Sequence, residues 1–139
     1  MDAKIKWIDG AEFVGETGSG HAIVIDGPAD IGGRNMGVRP MELMLLSVAA
    51  CSAVDVVHIL KKARQPVRDV QVEVHGARAD TEPKVFTAIH LKFQVSGHGL
   101  GLAQVERAVK LSAETYCSAS IMLRRAGATV THEFQIVES

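Results

Sequence analysis

Aromatic residues are scarce in this chain: one Trp, one Tyr and four Phe among 139 residues. Surfaces that stack nucleobases need several, so a single-stranded nucleic-acid platform is excluded. Charge of one sign is not in surplus either. Lys and Arg number 15 against 16 Asp and Glu, for a net charge of −1, and the basic residues do not cluster. That removes the electrostatic footprint of a nucleic-acid or anionic-membrane binder. Only two cysteines occur, Cys51 and Cys117, fewer than a small secreted disulfide scaffold would carry. The opening stretch "MDAKIKWIDG" lacks the apolar core of a signal peptide. A cytoplasmic protein with reduced thiols is expected. No His or Cys spacing resembles a zinc motif, and no GxxxxGK[ST] is present, so neither a bound metal nor a nucleotide is expected.

The length fits one domain spanning residues 1–139. "KIKWIDGAEFVGETGSGHAIVID" reads as three short strands turning at Asp9-Gly10 and Gly18-Ser19-Gly20. Residues 27–40, "GPADIGGRNMGVRP", are rich in Gly and Pro and read as a mobile loop, a candidate gate. Pro40 suits the first helical position. The helix then runs to about Arg64, with Lys61, Lys62 and Arg64 at its negative end and Pro66 beyond. At ~1.5 Å per residue it would be roughly 37 Å long. A small single-layer core does not cover such a helix, which points to a homodimer. Its apolar run is near the length of a membrane span, but Ser47, Ser52, Asp55 and His58 interrupt it. An Asp at mid-span costs about 3 kcal/mol, so a helix buried in protein is expected instead.

"VRDVQVEVHGARAD" and "KVFTAIHLKFQVSG" alternate apolar and polar residues about Thr81-Glu82-Pro83, as a long antiparallel hairpin does. Within it His75 and His90 can face each other. "GLAQVERAVKLSAETY" returns to helical spacing, with Leu102, Val105, Val109 and Ser112 on one stripe. "SASIMLRR" reads as a short helix capped by Ser118 and closed by Gly127, and "ATVTHEFQIV" as a last strand. The order βββ-α-ββ-α-β belongs to the α+β class.

The long helix carries unusual cargo for an apolar element. At ~100° per residue, Met44, Ser47, Asp55 and His58 fall within about 40° of Cys51. Ser47, Cys51, Asp55 and His58 thus form one polar stripe, which either satisfies itself inside a core or lines a pocket. In the first case Asp55 pairs with His58 or an opposing chain. Cys117 precedes a helix N-terminus, where unpaired N–H groups favour a thiolate. Cys51 lies mid-helix, where burial and an ionised Asp55 raise its pKa. An attacking thiolate there needs a compensating cation, and His58, Arg34 and Arg39 are the local candidates.

"RPMELMLLSVAACSAVDVVHILKK" and "AVKLSAETYCSASIMLRRAGATVTHEF" resemble the OsmC/Ohr family of osmotically inducible and organic hydroperoxide resistance proteins. The start of the chain together with the long helix is most similar to its YhfA-like branch. The resemblance implies an OsmC-like fold, an intertwined homodimer whose sheets wrap buried central helices, and sites at the subunit interface. It further implies a peroxiredoxin-like thiol peroxidase without bound cofactor. Cys51 would attack a small hydrophobic hydroperoxide, organic or fatty-acid, and become a sulfenic acid. Cys117 would resolve it as a disulfide, and a lipoyl-type dithiol would reduce that. The peroxide-reducing branches place a Glu directly after the helix-opening proline; here that position is Met41, with Glu42 next. They also supply an Arg from the N-terminal sheet, whereas the first Arg here is Arg34. Two alternatives stay open. One is a non-catalytic binder of an apolar ligand, using Met41, Met44, Cys51 and His58, and the other is a thiol redox sensor.

Overall fold

The computed structural model describes residues 1–139. The chain divides into two compact units, residues 1–44 and 45–139.

In the first unit, β1 (Ala3–Asp9), β2 (Glu12–Thr17) and β3 (Ala22–Asp26) form an antiparallel meander in that order. The turns fall at the two expected places. The connection after β3 is more ordered than its Gly-rich composition suggests. Asp26 is almost fully buried, at 1 % exposed. Its carboxylate accepts the backbone N–H groups of Gly27 at 2.9 Å, Arg34 at 3.0 Å and Met36 at 3.1 Å. The segment is wrapped around one anion, which replaces the free loop expected from sequence. A short 3₁₀ turn at Ala29–Ile31 and a bridge between Ile25 and Val38 complete it.

Helix α1 (Pro40–Lys62) opens as its proline predicts. Glu42 reaches back, and its Oε1 accepts the Arg39 N–H at 2.7 Å. This is the return half of a capping box, with the carboxylate at the positive end of the helix. The helix ends two residues before the expected limit. Arg64 takes the left-handed conformation (φ +57°), and Gln65 N–H donates to the Leu60 carbonyl, as in a Schellman motif. Val48, Ala49, Ser52, Val56 and Leu60 form the buried stripe. Each fully buried Val or Leu there contributes about 1.5–3 kcal/mol. The opposite face is apolar yet open, with Val54 68 % and Leu46 52 % exposed. By length and composition alone α1 could cross a membrane.

In the second unit, β4 (Val67–Arg78) and β5 (Phe86–Gly97) form the expected antiparallel hairpin, with His75 opposite His90. His90 turns to the next strand, meeting Thr131 at 2.7 Å and Glu133 at 3.0 Å. Ile89, Leu91, Phe93 and Val95 of β5 are all buried and alternate with more exposed residues, so one face of the sheet is core. Helix α2 (Leu102–Leu111) contributes Val105, Ala108 and Val109 to the core. Leu102, placed on the same stripe by spacing, is instead 66 % exposed at the first turn. A π turn over Ser112–Tyr116 leads through Cys117 to α3 (Ser118–Arg125). Gly127 (φ +105°) closes α3, and β6 (Thr129–Glu138) pairs parallel to β5. The sheet order is β4-β5-β6.

Candidate active site

The two cysteines arrive from opposite ends of the second unit's sequence. Cys51 sits in the middle of α1, half-buried. Cys117 is fully buried. It leaves the helical path at φ −72°, ψ 95° and caps α3, its sulfur accepting the Ser120 N–H at 3.4 Å. The cap is therefore Cys117 rather than Ser118. An extended backbone angle and an acceptor aimed at the third N–H define a cap, and sulfur fills the place usually taken by a hydroxyl. The π turn brings this about: Cys117 N–H donates to the Ser112 carbonyl, five residues back, at 2.8 Å. Such single π turns insert one extra residue and re-aim the chain beyond them.

The result is a tight polar cluster. The Cys51 sulfur, the Cys117 sulfur and a carboxylate oxygen of Asp55 all lie within 4.8 Å of one another. Ser52 Oγ–H donates to the Cys117 sulfur at 3.2 Å. Ser112 Oγ–H donates to Asp55 Oδ2 at 3.1 Å. Asp55 is thus partnered by the π turn, where sequence suggested His58 or an opposing chain. Neither serine is evident as a site residue from sequence. The signal was there for Ser112, a lone hydroxyl on the apolar stripe of α2, and for Ser52, beside the cysteine on an apolar helix.

Burial pushes the Cys117 thiol up, but hydrogen bonds from Ser120 and Ser52, joined by one from Cys51, outweigh it and hold its pKa below the ordinary value. The Ser120 hydroxyl can serve either this sulfur or the Cys117 carbonyl, 3.2 Å away. Cys51 moves the other way. Burial raises its pKa, as do the neighbouring Cys117 and Asp55 charges, against a single backbone N–H from Ala119. Of the two, the buried Cys117 sulfur therefore takes a negative charge more readily than the more accessible Cys51.

A cavity of about 490 Å³ opens beside Asp55. Its wall combines His58, Lys62, Arg107, Leu111 and Tyr116. Of the other stripe residues, Ser47 is exposed on α1. Met41 is half-buried and Met44 40 % exposed in the first unit. There Arg34 is engaged by Asp9 at 3.4 Å and Glu12 at 3.8 Å. Arg39 donates through Nη1 to the Gly37 carbonyl at 3.0 Å. Glu42 serves as the helix cap described above.

The family model described as OsmC-like protein matches residues 32–133. Protein YhfA of Escherichia coli K12 is 44% identical over 137 residues, 99% of this chain and 98% of that protein. A hypothetical protein from Aquifex aeolicus VF5 superposes with a TM-score of 0.87 at 31% identity, covering 99% of this chain and 96% of that one. An organic hydroperoxide resistance protein OsmC from Legionella pneumophila superposes with a TM-score of 0.69 at 22% identity, covering 97% and 94%. That last likeness is one of fold.

Proposed function

Because the chain belongs to the OsmC-like protein family, we propose that it reduces organic hydroperoxides, fatty-acid hydroperoxides among them, through Cys51 and Cys117. The observation that carries this reading is the pair of sulfurs within 4.8 Å, one half-buried and one buried in hydrogen bonds. The name of the Legionella relative suggests the oxidant class.

In this reading the pair reacts with one shared proton, held on Cys51 while Cys117 carries the charge. Cys51 passes its proton to the Cys117 thiolate as its sulfur attacks the distal peroxide oxygen. The O–O bond breaks, Cys51 becomes a sulfenic acid, and the departing alkoxide takes the proton from Cys117 to leave as alcohol. The Cys117 thiolate then attacks the sulfenic sulfur and expels hydroxide. Two electrons have moved from the thiol pair to the peroxide. Reaching a disulfide S–S length of about 2.05 Å needs the sulfurs to close by under roughly 3 Å. In this reading a compensating cation is not required, because Cys117 supplies the base. An external lipoyl-type dithiol returns the pair to the thiols, and the cytoplasm keeps it reduced between turnovers. The open apolar face of α1, with Val54 and Leu46 exposed, supports a homodimer that covers it.

The test is a thiol count after mixing reduced protein with cumene hydroperoxide. Wild type should lose two thiols per hydroperoxide consumed. Cys117→Ser should lose one and yield a sulfenic acid trapped by dimedone. If Cys51→Ser loses thiols as fast as wild type, Cys51 is not the attacking residue.

The cavity at Asp55 supports a second reading, a protein that binds a small ligand without turnover; of Met41, Met44, Cys51 and His58 only His58 lines it, beside the charged Asp55, Lys62 and Arg107. Native mass spectrometry would then reveal a co-purified ligand, while cumene hydroperoxide left the thiols intact. A redox sensor differs from both: diamide oxidises the pair, and organic peroxides react no faster than hydrogen peroxide.

A further inference from the structure

We propose that the reduced protein also binds one thiophilic divalent cation of the zinc class per chain, held by Cys51, Cys117 and Asp55. Binding needs only the reduced pair and the carboxylate, so it is independent of peroxide chemistry.

The donor geometry is close to what such an ion requires. Around tetrahedral zinc, with Zn–S near 2.3 Å and Zn–O near 2.0 Å, donors sit roughly 3.5–3.8 Å apart. The three donor atoms here lie within 4.8 Å of one another, so shifts of about 1 Å bring them into range. Two sulfurs and one oxygen select a borderline-soft ion over calcium or magnesium, which take all-oxygen sites.

The surroundings are those of a ligand set rather than of stray side chains. Ser112 Oγ–H fixes Asp55 at 3.1 Å. Ser52 Oγ–H and Ser120 N–H fix the Cys117 sulfur at 3.2 and 3.4 Å. Outer hydrogen bonds of this kind orient ligands and hold their lone pairs toward a common point. Binding displaces the remaining thiol protons, and the ion's charge offsets the two thiolates and the carboxylate that it gathers. Three protein donors leave a fourth tetrahedral position, and Asp55 lines the cavity from which an ion and its water enter. Sequence spacing could not suggest this, because α1 supplies two donors and Cys117 comes from beyond the hairpin and α2.

The experiment uses the full chain, reduced, desalted and kept anaerobic. Zinc is added against a chromophoric chelator, and cadmium is added separately to read the thiolate-to-metal charge-transfer band. We expect one ion per chain with a strong cadmium–thiolate band. Cys51→Ser and Cys117→Ser should each weaken zinc binding at least a hundredfold, and Asp55→Asn at least tenfold. A cysteine variant that misfolds would be uninformative by itself, so diamide-oxidised wild type is measured too. There two thiolates give two electrons to the diamide N=N bond, which takes up two protons. The S–S bond forms and the ion is released. Absence of stoichiometric zinc in the reduced protein overturns the proposal. So does zinc that survives oxidation or either cysteine substitution, since surface histidines would then be the ligands, or Asp55→Asn binding as tightly as wild type. Peroxide assays run with chelator present keep the two readings separable.

Discussion

The Ser52 hydroxyl donates to the Cys117 sulfur across 3.2 Å, joining the long helix to the cap of a helix 65 residues later. Removing it tests whether the buried sulfur carries the charge. Ser52→Ala takes away one donor and leaves the Ser120 contacts in place. A hydrogen bond to a charged group contributes about 1.5–3 kcal/mol. The Cys117 pKa should rise, and thiol loss to cumene hydroperoxide near neutral pH should slow about tenfold or more. Urea unfolding should show a smaller change, near ~1 kcal/mol. An unchanged rate of thiol loss would dissociate Ser52 from the chemistry.

The two thiols should titrate on opposite sides of the ordinary value of 9.0. Thiolate forms as pH rises through a pKa, so the first step belongs below 9.0, with the charge held on Cys117, and the second above it, when Cys51 loses its proton. The steps are properties of the pair. Ultraviolet thiolate absorbance against pH should resolve both in metal-free reduced protein. A single two-proton step at 9.0 would contradict the shared-proton arrangement.

Asp26 ties stability to pH in the opposite part of the scale. Backbone N–H groups of Arg34 and Met36, with that of Gly27, hold its carboxyl below the ordinary 3.8 despite burial. A depressed acid stabilises the fold fully above 3.8 and loses that contribution as pH falls through the lower, folded value. Asp26→Asn replaces one acceptor oxygen with a donor facing N–H groups. Its melting midpoint should fall by several degrees at pH 7, and the gap to wild type should shrink in strong acid. A constant gap between pH 7 and pH 2 would rule out the carboxylate as its source.

Gly76 of β4 packs against the Leu45 side chain of α1 and the Phe86 ring of β5. A Cβ there would meet Phe86 Cε1 at 2.7 Å and Leu45 Cδ2 at 2.8 Å. Gly76→Ala should destabilise by about 1–3 kcal/mol, the usual cost of overpacking. The urea midpoint should drop while the thiol titration keeps its shape. Full stability in the variant would mean that Leu45 and Phe86 move aside freely.

Much of this architecture is legible without coordinates, for local reasons. Alternation and Asp-Gly punctuation mark β1 to β3. Pro40 and the terminal lysines mark α1 to within two residues. The helical rotation of ~100° per residue places Asp55 beside Cys51. What escapes is set by distance along the chain. Ser112 meets Asp55, and Ser52 meets Cys117, only because α2 and the π turn fold over α1. Glu42 looks like a displaced family carboxylate in sequence, yet its first task is to cap the helix. Cys117 as a cap is hard to foresee because sulfur rarely takes that position. The order around Asp26 is hidden by glycines that read as slack.

The parallel pairing of β6 with β5 fixes when these side chains can meet. Parallel neighbours need a long crossover, and here residues 98–128, with Cys117 among them, form it. Contacts so distant in sequence close late, after the loop entropy of the intervening chain has been overcome. On the ribosome, Cys51 is made well before the strand that docks its partner. The cluster therefore exists only once the chain has been made through Cys117 and the crossover has folded back over α1.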